Sequence, residues 1–286
     1  NRSRRLIVME LINLSESTVS AKWLYENLSS PNLAVLDASI KKVIASSEDS
    51  IAEIQIPQTR FFDIKKKFSD VNAPFPNTMP SEAQFNEAAQ EIGINNNSAI
   101  VVYDDKGIYS SARVWYMFKA MGHNNIAVLD GGLPEWLRLN YPVVEKTDYK
   151  GSKGNFIGSL NADLFKGFND VALATHDEHI SILDARSSDR FNCSVPEPRA
   201  GLRRGHIPNS ISLPYADLLN NGILLPKNEL KKLMNSHLDS NNATIFSCGS
   251  GITACVLALG ADICGYKNYA VYDGSWTEWG SLTEAE

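Results

Sequence analysis

The stretch IFSCGSGITACVLALG, residues 245–260, runs an apolar, β-branched segment into Cys248, then a Gly-Ser-Gly turn, then an apolar segment with helical character. Strand, glycine-rich turn and helix make up the repeating unit of a parallel α/β sheet, in which the chain leaves the carboxyl end of a strand and returns over one face. Ligands meet such sheets at those carboxyl ends, and there the sequence places a thiol.

Working outward from Cys248, the chain matches itself. ATIFSCGSG (243–251) echoes AIVVYDDKG (99–107), and ISILDARSS (180–188) echoes LAVLDASI (33–40). GHIPNSISLPYADL (205–218) echoes IQIPQTRFFDI (54–64), and VYDGSWTEW (271–279) echoes VLDGGLPEW (128–136). The offsets are 144 (Asp104 to Cys248), 147 (Asp37 to Asp184), 151 (Pro57 to Pro208) and 143 (Asp130 to Asp273). Four matches in one order at nearly one spacing indicate a duplicated domain. Each copy alternates short β-branched runs with helical patterns. In the first, Ser81 opens a helix that ends near Gly93, AIVVYD follows as a buried strand, and SSARVWYMFKAMGH gives a helix closed by Gly122. The expected fold is therefore α/β, with domains at 9–140 and 160–286, each a mostly parallel sheet with helices on both faces. Residues 141–159, polar and rich in Gly and Lys, read as a linker draped over the surface.

The 286 residues are 43% hydrophobic and 21% charged, ordinary for a soluble globular protein able to build a sizeable core. A net charge of −6 argues against a general nucleic-acid or anionic-membrane binder, so any basic site must be local. The four cysteines, Cys193, Cys248, Cys255 and Cys264, form no CxxC pair and have no closely spaced His partners, so neither a zinc site nor a disulfide scaffold is expected. Glu10 interrupts the short apolar run LIVMELI near the N-terminus and no small-residue cleavage site follows, which is unlike a secretory signal. No window reaches the roughly 18 apolar residues of a membrane span. The expectation is a cytoplasmic protein with reduced thiols, with a mitochondrial address as the alternative.

Gly249, Ser250 and Gly251 let the backbone turn tightly and aim N–H groups inward, and the helix from about Thr253 directs its positive end at the sulfur. Such a cradle favours a thiolate nucleophile and stabilises a bound anion. The alternative for any free cysteine is a buried structural role, the better reading for Cys255 and Cys264. Asp104 stands at the thiol position in the first copy, so one copy is expected to be active and the other silent. The Cys-x5-Arg loop of protein phosphatases is absent, because the sixth residue after Cys248 is Ala254.

The loop CGSGITAC, the block LDARSSDRFNCSVPEPRAGLRRGHIPNSISLP (183–214) and YDGSWTEWG (272–280) resemble the two-domain rhodanese-like sulfurtransferases, and within them the 3-mercaptopyruvate sulfurtransferases. FFDI, YSSARVWYMFKAMGH and LDGGLPEW extend the likeness to the first half. The resemblance implies tandem rhodanese-like domains. It also implies transfer of sulfur from 3-mercaptopyruvate through a persulfide on Cys248, with pyruvate released and no metal or organic cofactor required. The acceptor would be thioredoxin, a small thiol or cyanide, in two half-reactions. Arg190 and Arg199 would hold the carboxylate and carbonyl of the donor, their forks suiting a carboxylate. Gly249, Gly251, Ile252 and Thr253 would complete the binding loop. Ser250 would donate to the sulfur or to the substrate oxyanion, an ordinary turn serine being its alternative, and Asp63 matches an aspartate used in proton delivery.

Departures from the family pattern leave proton delivery unassigned. NTMP (77–80) stands where relatives read HMLP, and Gln55 replaces a first-domain His whose counterpart, His206, reads as a structural hydrogen-bonder. Cys193 has two readings, a second thiol able to resolve the persulfide or an exposed loop cysteine. Arg186 reads as a salt-bridge former, while Arg203 and Arg204 read as solvated. Trp276 could wall the site or fill the core, and Trp279 belongs to the core. Thiosulfate-preferring relatives carry basic residues where Gly249 and Ser250 stand here. A thiosulfate sulfurtransferase and a noncatalytic rhodanese scaffold are the competing functions.

Overall fold

The structure, a computed structural model, describes residues 10–40 and 53–285. Met9, the basic residues before it and Glu286, the expected outer bounds of the two domains, lie outside the described residues. Two five-stranded sheets form, with every neighbouring pair parallel. The first runs Thr18–Val19, Ile126–Leu129, Ala99–Tyr103, Leu33–Asp37, Thr59–Phe61. The second runs Phe165–Lys166, Tyr269–Tyr272, Ala243–Ser247, Ile180–Asp184, Ser210–Ser212. Each sheet repeats the other strand for strand, as the internal matches require. Leu33–Asp37 and Ala99–Tyr103 are buried at every residue, which is why they read as unbroken apolar runs.

Helices cover both faces of each sheet. In the first domain, Leu24 and Trp136 from helices Ala21–Asn27 and Gly132–Arg138 fill one side. Phe85 and Val114 from Glu82–Glu91 and Ser111–Ala120 fill the other. In the second, Val171, Trp276 and Trp279 line one side, and Met234 and Leu257 the other. The helices Ser111–Ala120 and Ala254–Ile263, equivalent in the duplication, pack against each other, so one apolar cluster runs through both domains. Both are apolar around nearly their whole circumference because each faces its own sheet and its twin.

The linker is fastened more closely than a surface drape. Val144–Glu145 pairs antiparallel with Ile54–Gln55, and Phe156 enters the first domain's core. Around it the Gln90 side chain donates to Phe156 O at 2.7 Å and Gly154 N–H donates to Gln90 O at 2.9 Å. Tyr141 and Val143 pack against the first domain as well, and Asn86, Asn95 and Asn96 hydrogen-bond residues 155–158, so apolar burial and polar pairing together dock the segment.

The two domains meet about an approximate two-fold axis. Asp273 Oδ2 accepts the Met79 N–H at 2.7 Å, and its repeat partner Asp130 Oδ1 accepts the Leu224 N–H at 3.0 Å. Near the second contact Gly107 (φ +111°) lies so close to Gly222 that a Cβ on Gly107 would sit 2.7 Å from Gly222 Cα. Backbone cannot retreat as a flexible side chain can. Gly107→Ala is therefore expected to lower stability by about 2 kcal/mol or more, from strain at positive φ plus overpacking, read as a shift in the urea midpoint.

Candidate active site

The strand Ala243–Ser247 delivers Cys248 to the carboxyl end of the second sheet with 1% of its surface exposed. Gly251, at φ +81°, turns its N–H back to Cys248 Sγ at 3.1 Å. A side chain at Gly251 would meet Asp273 O at 2.6 Å, so both conformation and space demand glycine. Ser275, itself left-handed at φ +52°, accepts the Cys248 N–H at 3.0 Å and places its hydroxyl 3.8 Å from the sulfur. Trp276 N–H and Thr277 N–H, both at 2.9 Å, hold the carbonyls of Cys248 and Gly249. Behind the loop, burial pushes the Cys255 thiol up to about 12, so it stays a neutral donor, 3.5 Å from Gly251 O. This structural role is the one expected for Cys255.

The equivalent loop of the first domain holds Asp104 in place of a thiol. The Asp104 carboxylate, fully buried, accepts N–H groups from Lys106 (2.9 Å), Tyr109 (2.8 Å) and Ser111 (2.9 Å). The first domain's cradle is thus filled by its own Asp104 side chain, whose pKa burial raises against the pull of these N–H groups, whereas the second presents sulfur there.

Beside Cys248 lies a cationic group. Glu197 accepts from Arg190 Nη2 at 2.8 Å and Nε at 3.0 Å, and from Arg186 Nη1 at 3.1 Å. Burial pushes the Glu197 carboxyl up, but the two guanidinium groups outweigh it and hold the carboxyl below the usual 4.5. Arg186 is further gripped by Asp184 at 2.7 Å and lies over the Trp276 ring at 5.0 Å, in accord with its expected salt-bridge role. Arg190 lies against the loop so closely that a Cβ on Gly249 would meet its Nη2 at 2.9 Å. Arg199 is a different case. Its Nη2 is buried with no hydrogen-bond partner, and burial and Arg190 lower its pKa against the opposing pull of Tyr109, Cys248 and Glu197. A buried guanidinium nitrogen left unpaired beside a thiol implies a ligand acceptor.

Ser250 lies on the loop and is reached from the first domain. Asn77, left-handed at φ +58°, donates from Nδ2 to Ser250 Oγ at 2.9 Å, while Lys65 Nζ donates to Asn77 Oδ1 at 2.9 Å. The ammonium thereby fixes which end of the amide faces Ser250. Asp63 is not brought to this cluster. Its carboxylate accepts the Lys66 N–H at 3.1 Å and lines a shallow hollow of about 270 Å³ with Phe61, Lys67 and Glu91. Ile252 is buried in the shared core, and Thr253 stands just before the helix Ala254–Ile263 without a capping side-chain hydrogen bond. Cys193 is half-buried at φ +63°, its thiol 3.8 Å from Phe191 O. His206 donates from Nδ1 to Phe191 O (2.9 Å) and stacks on the Phe191 ring. Arg203 is not simply solvated. It lies 4.7 Å over the Trp276 ring and donates to Thr283, because that ring offers a face for its guanidinium. Trp276 and Trp279 both pack in the core.

Sequence reasoning missed Glu197, Asn77, Lys65, Ser275 and Arg113. Glu197 sits inside the quoted EPR and Asn77 inside NTMP, but only the folded chain brings them to Arg190 and Ser250. No group of three or more His, Cys, Asp or Glu side chains placed to hold a metal occurs among the described residues.

Both halves match the rhodanese-like domain family, at residues 20–139 and 168–282. The chain belongs to that family, in a tandem form. It is 36% identical over 276 residues to the 3-mercaptopyruvate sulfurtransferase of Mus musculus, covering 93% of this chain and 92% of the relative. It is 35% identical over 276 residues to the thiosulfate sulfurtransferase of the same organism, with the same coverage of each. A solved Escherichia coli structure, described as a 3-mercaptopyruvate sulfotransferase of rhodanese fold, superimposes with a TM-score of 0.81 at 32% identity, over 92% of this chain and 99% of that one.

Glu197 links the arginines to pH. Because its folded value is depressed, its contribution is complete above the ordinary glutamate value of 4.5 and is lost as pH falls through the lower folded value. Glu197→Gln, which leaves buried Arg186 short of a countercharge, is expected to cost about 3 kcal/mol at pH 7. The gap between variant and parent urea midpoints should narrow as the pH is taken below 4.5.

Proposed function

We propose that this chain transfers the sulfur of 3-mercaptopyruvate to a thiol or cyanide acceptor through a persulfide on Cys248, releasing pyruvate. The observation that carries the reading is the juxtaposition of Cys248, receiving the Gly251 N–H, with the unpaired buried nitrogen of Arg199 and with the Arg190 guanidinium, whose Nε and Nη2 are held by Glu197 against the loop. The donor carboxylate and carbonyl engage the two arginines, which sets its sulfur against Cys248 Sγ. The thiolate attacks that sulfur. The new S–S bond forms as the C–S bond breaks, and the electron pair stays on carbon as the enolate of pyruvate, which takes up one proton. Ser250 Oγ accepts from Asn77, so its own hydroxyl proton is directed away from Asn77 and serves the developing enolate. In the second half-reaction an acceptor thiolate attacks the outer sulfur and expels Cys248 as thiolate, so no external oxidant or reductant enters.

Identity to the two mouse relatives differs by a single percentage point, 36% against 35%, and does not choose the donor. The neutral loop supports 3-mercaptopyruvate as the donor: Arg190 lies against Gly249, and a basic side chain there would place a like charge beside that guanidinium. All four cysteines are free, and the chemistry needs a reduced thiol, which suits a cytoplasmic or mitochondrial-matrix setting and a thioredoxin or small-thiol acceptor. None of the described helices is long and apolar enough to cross a membrane.

Incubation with 3-mercaptopyruvate should yield pyruvate and, by intact mass, one added sulfur that Cys248→Ser abolishes. Arg199→Ala should lower kcat/KM for 3-mercaptopyruvate about 10- to 100-fold while Cys248 stays reactive toward iodoacetamide. Faster turnover of thiosulfate than of 3-mercaptopyruvate, or absence of the added sulfur, would overturn the assignment.

A further inference from the structure

The active loop is braced by a residue of the domain that carries no thiol. Arg113, on the helix Ser111–Ala120, is 1% exposed. Its Nη1 donates to Gly251 O at 3.1 Å and to Asp273 Oδ1 at 2.8 Å, and its Nη2 donates to Asn77 O at 2.8 Å. These two carbonyls belong to the residues that approach the chemistry most directly from backbone and side chain. Gly251 gives its N–H to the sulfur, and Asn77 gives its amide to Ser250. Both residues stand at positive φ, +81° and +58°, a conformation that persists only where the surroundings hold it.

The duplication supplies an internal control. Asn77 corresponds to Gly222 and Gly251 to Gly107, since Met79 and Leu224 make the matched contacts to Asp273 and Asp130. In the silent half Gly222 and Gly107 meet directly, backbone on backbone, with a 2.7 Å approach for an added Cβ. In the active half the same two positions are joined through the guanidinium. Aligning the helices on their terminal glycines, Gly122 and Gly265, sets Val256 opposite Arg113. A general interface device would recur in both halves. This one occurs only where the thiol is.

We propose that Arg113 is a positioning residue for sulfur transfer, its single guanidinium locking Gly251 and Asn77 so that an N–H faces Cys248 Sγ and an amide faces Ser250. Asp273 holds the fork from the second domain, so the active geometry exists only while the domains are docked. The inference rests on the sulfurtransferase reading above.

The test compares Arg113→Met and Arg113→Lys with the parent, measuring kcat and KM for 3-mercaptopyruvate, the urea midpoint, and the rate of Cys248 alkylation by iodoacetamide followed by intact mass. Arg113→Met is expected to lower kcat about 100-fold with KM changed less than about two-fold, and to slow alkylation about ten-fold at neutral pH. A purely structural arginine predicts the opposite for the thiol, since loosening a loop around a buried cysteine speeds its alkylation. Arg113→Lys keeps the charge but loses the two-armed fork, and should lose about ten-fold in kcat with an unchanged urea midpoint. Alkylation as fast as the parent's or faster in Arg113→Met, or parental kcat in Arg113→Lys, overturns the proposal. If Arg113→Met does not fold, the lysine variant alone decides. Failure of the parent to take up sulfur would strike the functional reading, whereas the alkylation rates still report on Arg113.

Discussion

The Gly251 N–H reaches Cys248 Sγ at 3.1 Å only because Gly251 sits at φ +81°, in a space where a Cβ would strike the Asp273 carbonyl. That one backbone orientation depends on both domains. Its carbonyl side is held by Arg113, and the strand end that launches it is fixed by pairing of Ala243–Ser247 with Ile180–Asp184 and Tyr269–Tyr272. A parallel sheet with helices on both faces places its loop donors at one end, and a tight turn then concentrates them on a single atom.

Duplication produced two such ends, and they have gone different ways. The first holds its own Asp104 side chain, which accepts three N–H groups. The second exposes a nucleophile to the arginines. The first domain contributes Arg113, Asn77 and Lys65, delivered across a shared apolar cluster.

Electrostatics is local here. The chain carries a net charge of −6, yet around Cys248 the arginines outnumber their carboxylates, and Glu197 is shared between two of them. The shared carboxylate locks Arg186 and orients Arg190, while Arg199 retains an unpaired nitrogen. In the proposed reaction a donor carboxylate would meet a preformed cationic wall, with little rearrangement required.

Periodicity and internal repetition were enough to read the α/β class, the doubling, the parallel strands and the position of Cys248 at a strand end, because those depend on local pattern and on residues close in sequence. The helix starts at Ser81 and near Thr253 were legible for the same reason. Arg186 could be read as a salt-bridge former because Asp184 lies two residues away. Asp63 was drawn to the site by likeness alone, and in the fold its carboxylate accepts the Lys66 N–H three residues on. Asn77 and Ser250 are 173 residues apart, and Arg113 and Asp273 are 160 apart. No window along the chain couples such pairs. Only docking of the two domains, driven by apolar helices that need each other to be buried, decided which polar groups would meet across the seam.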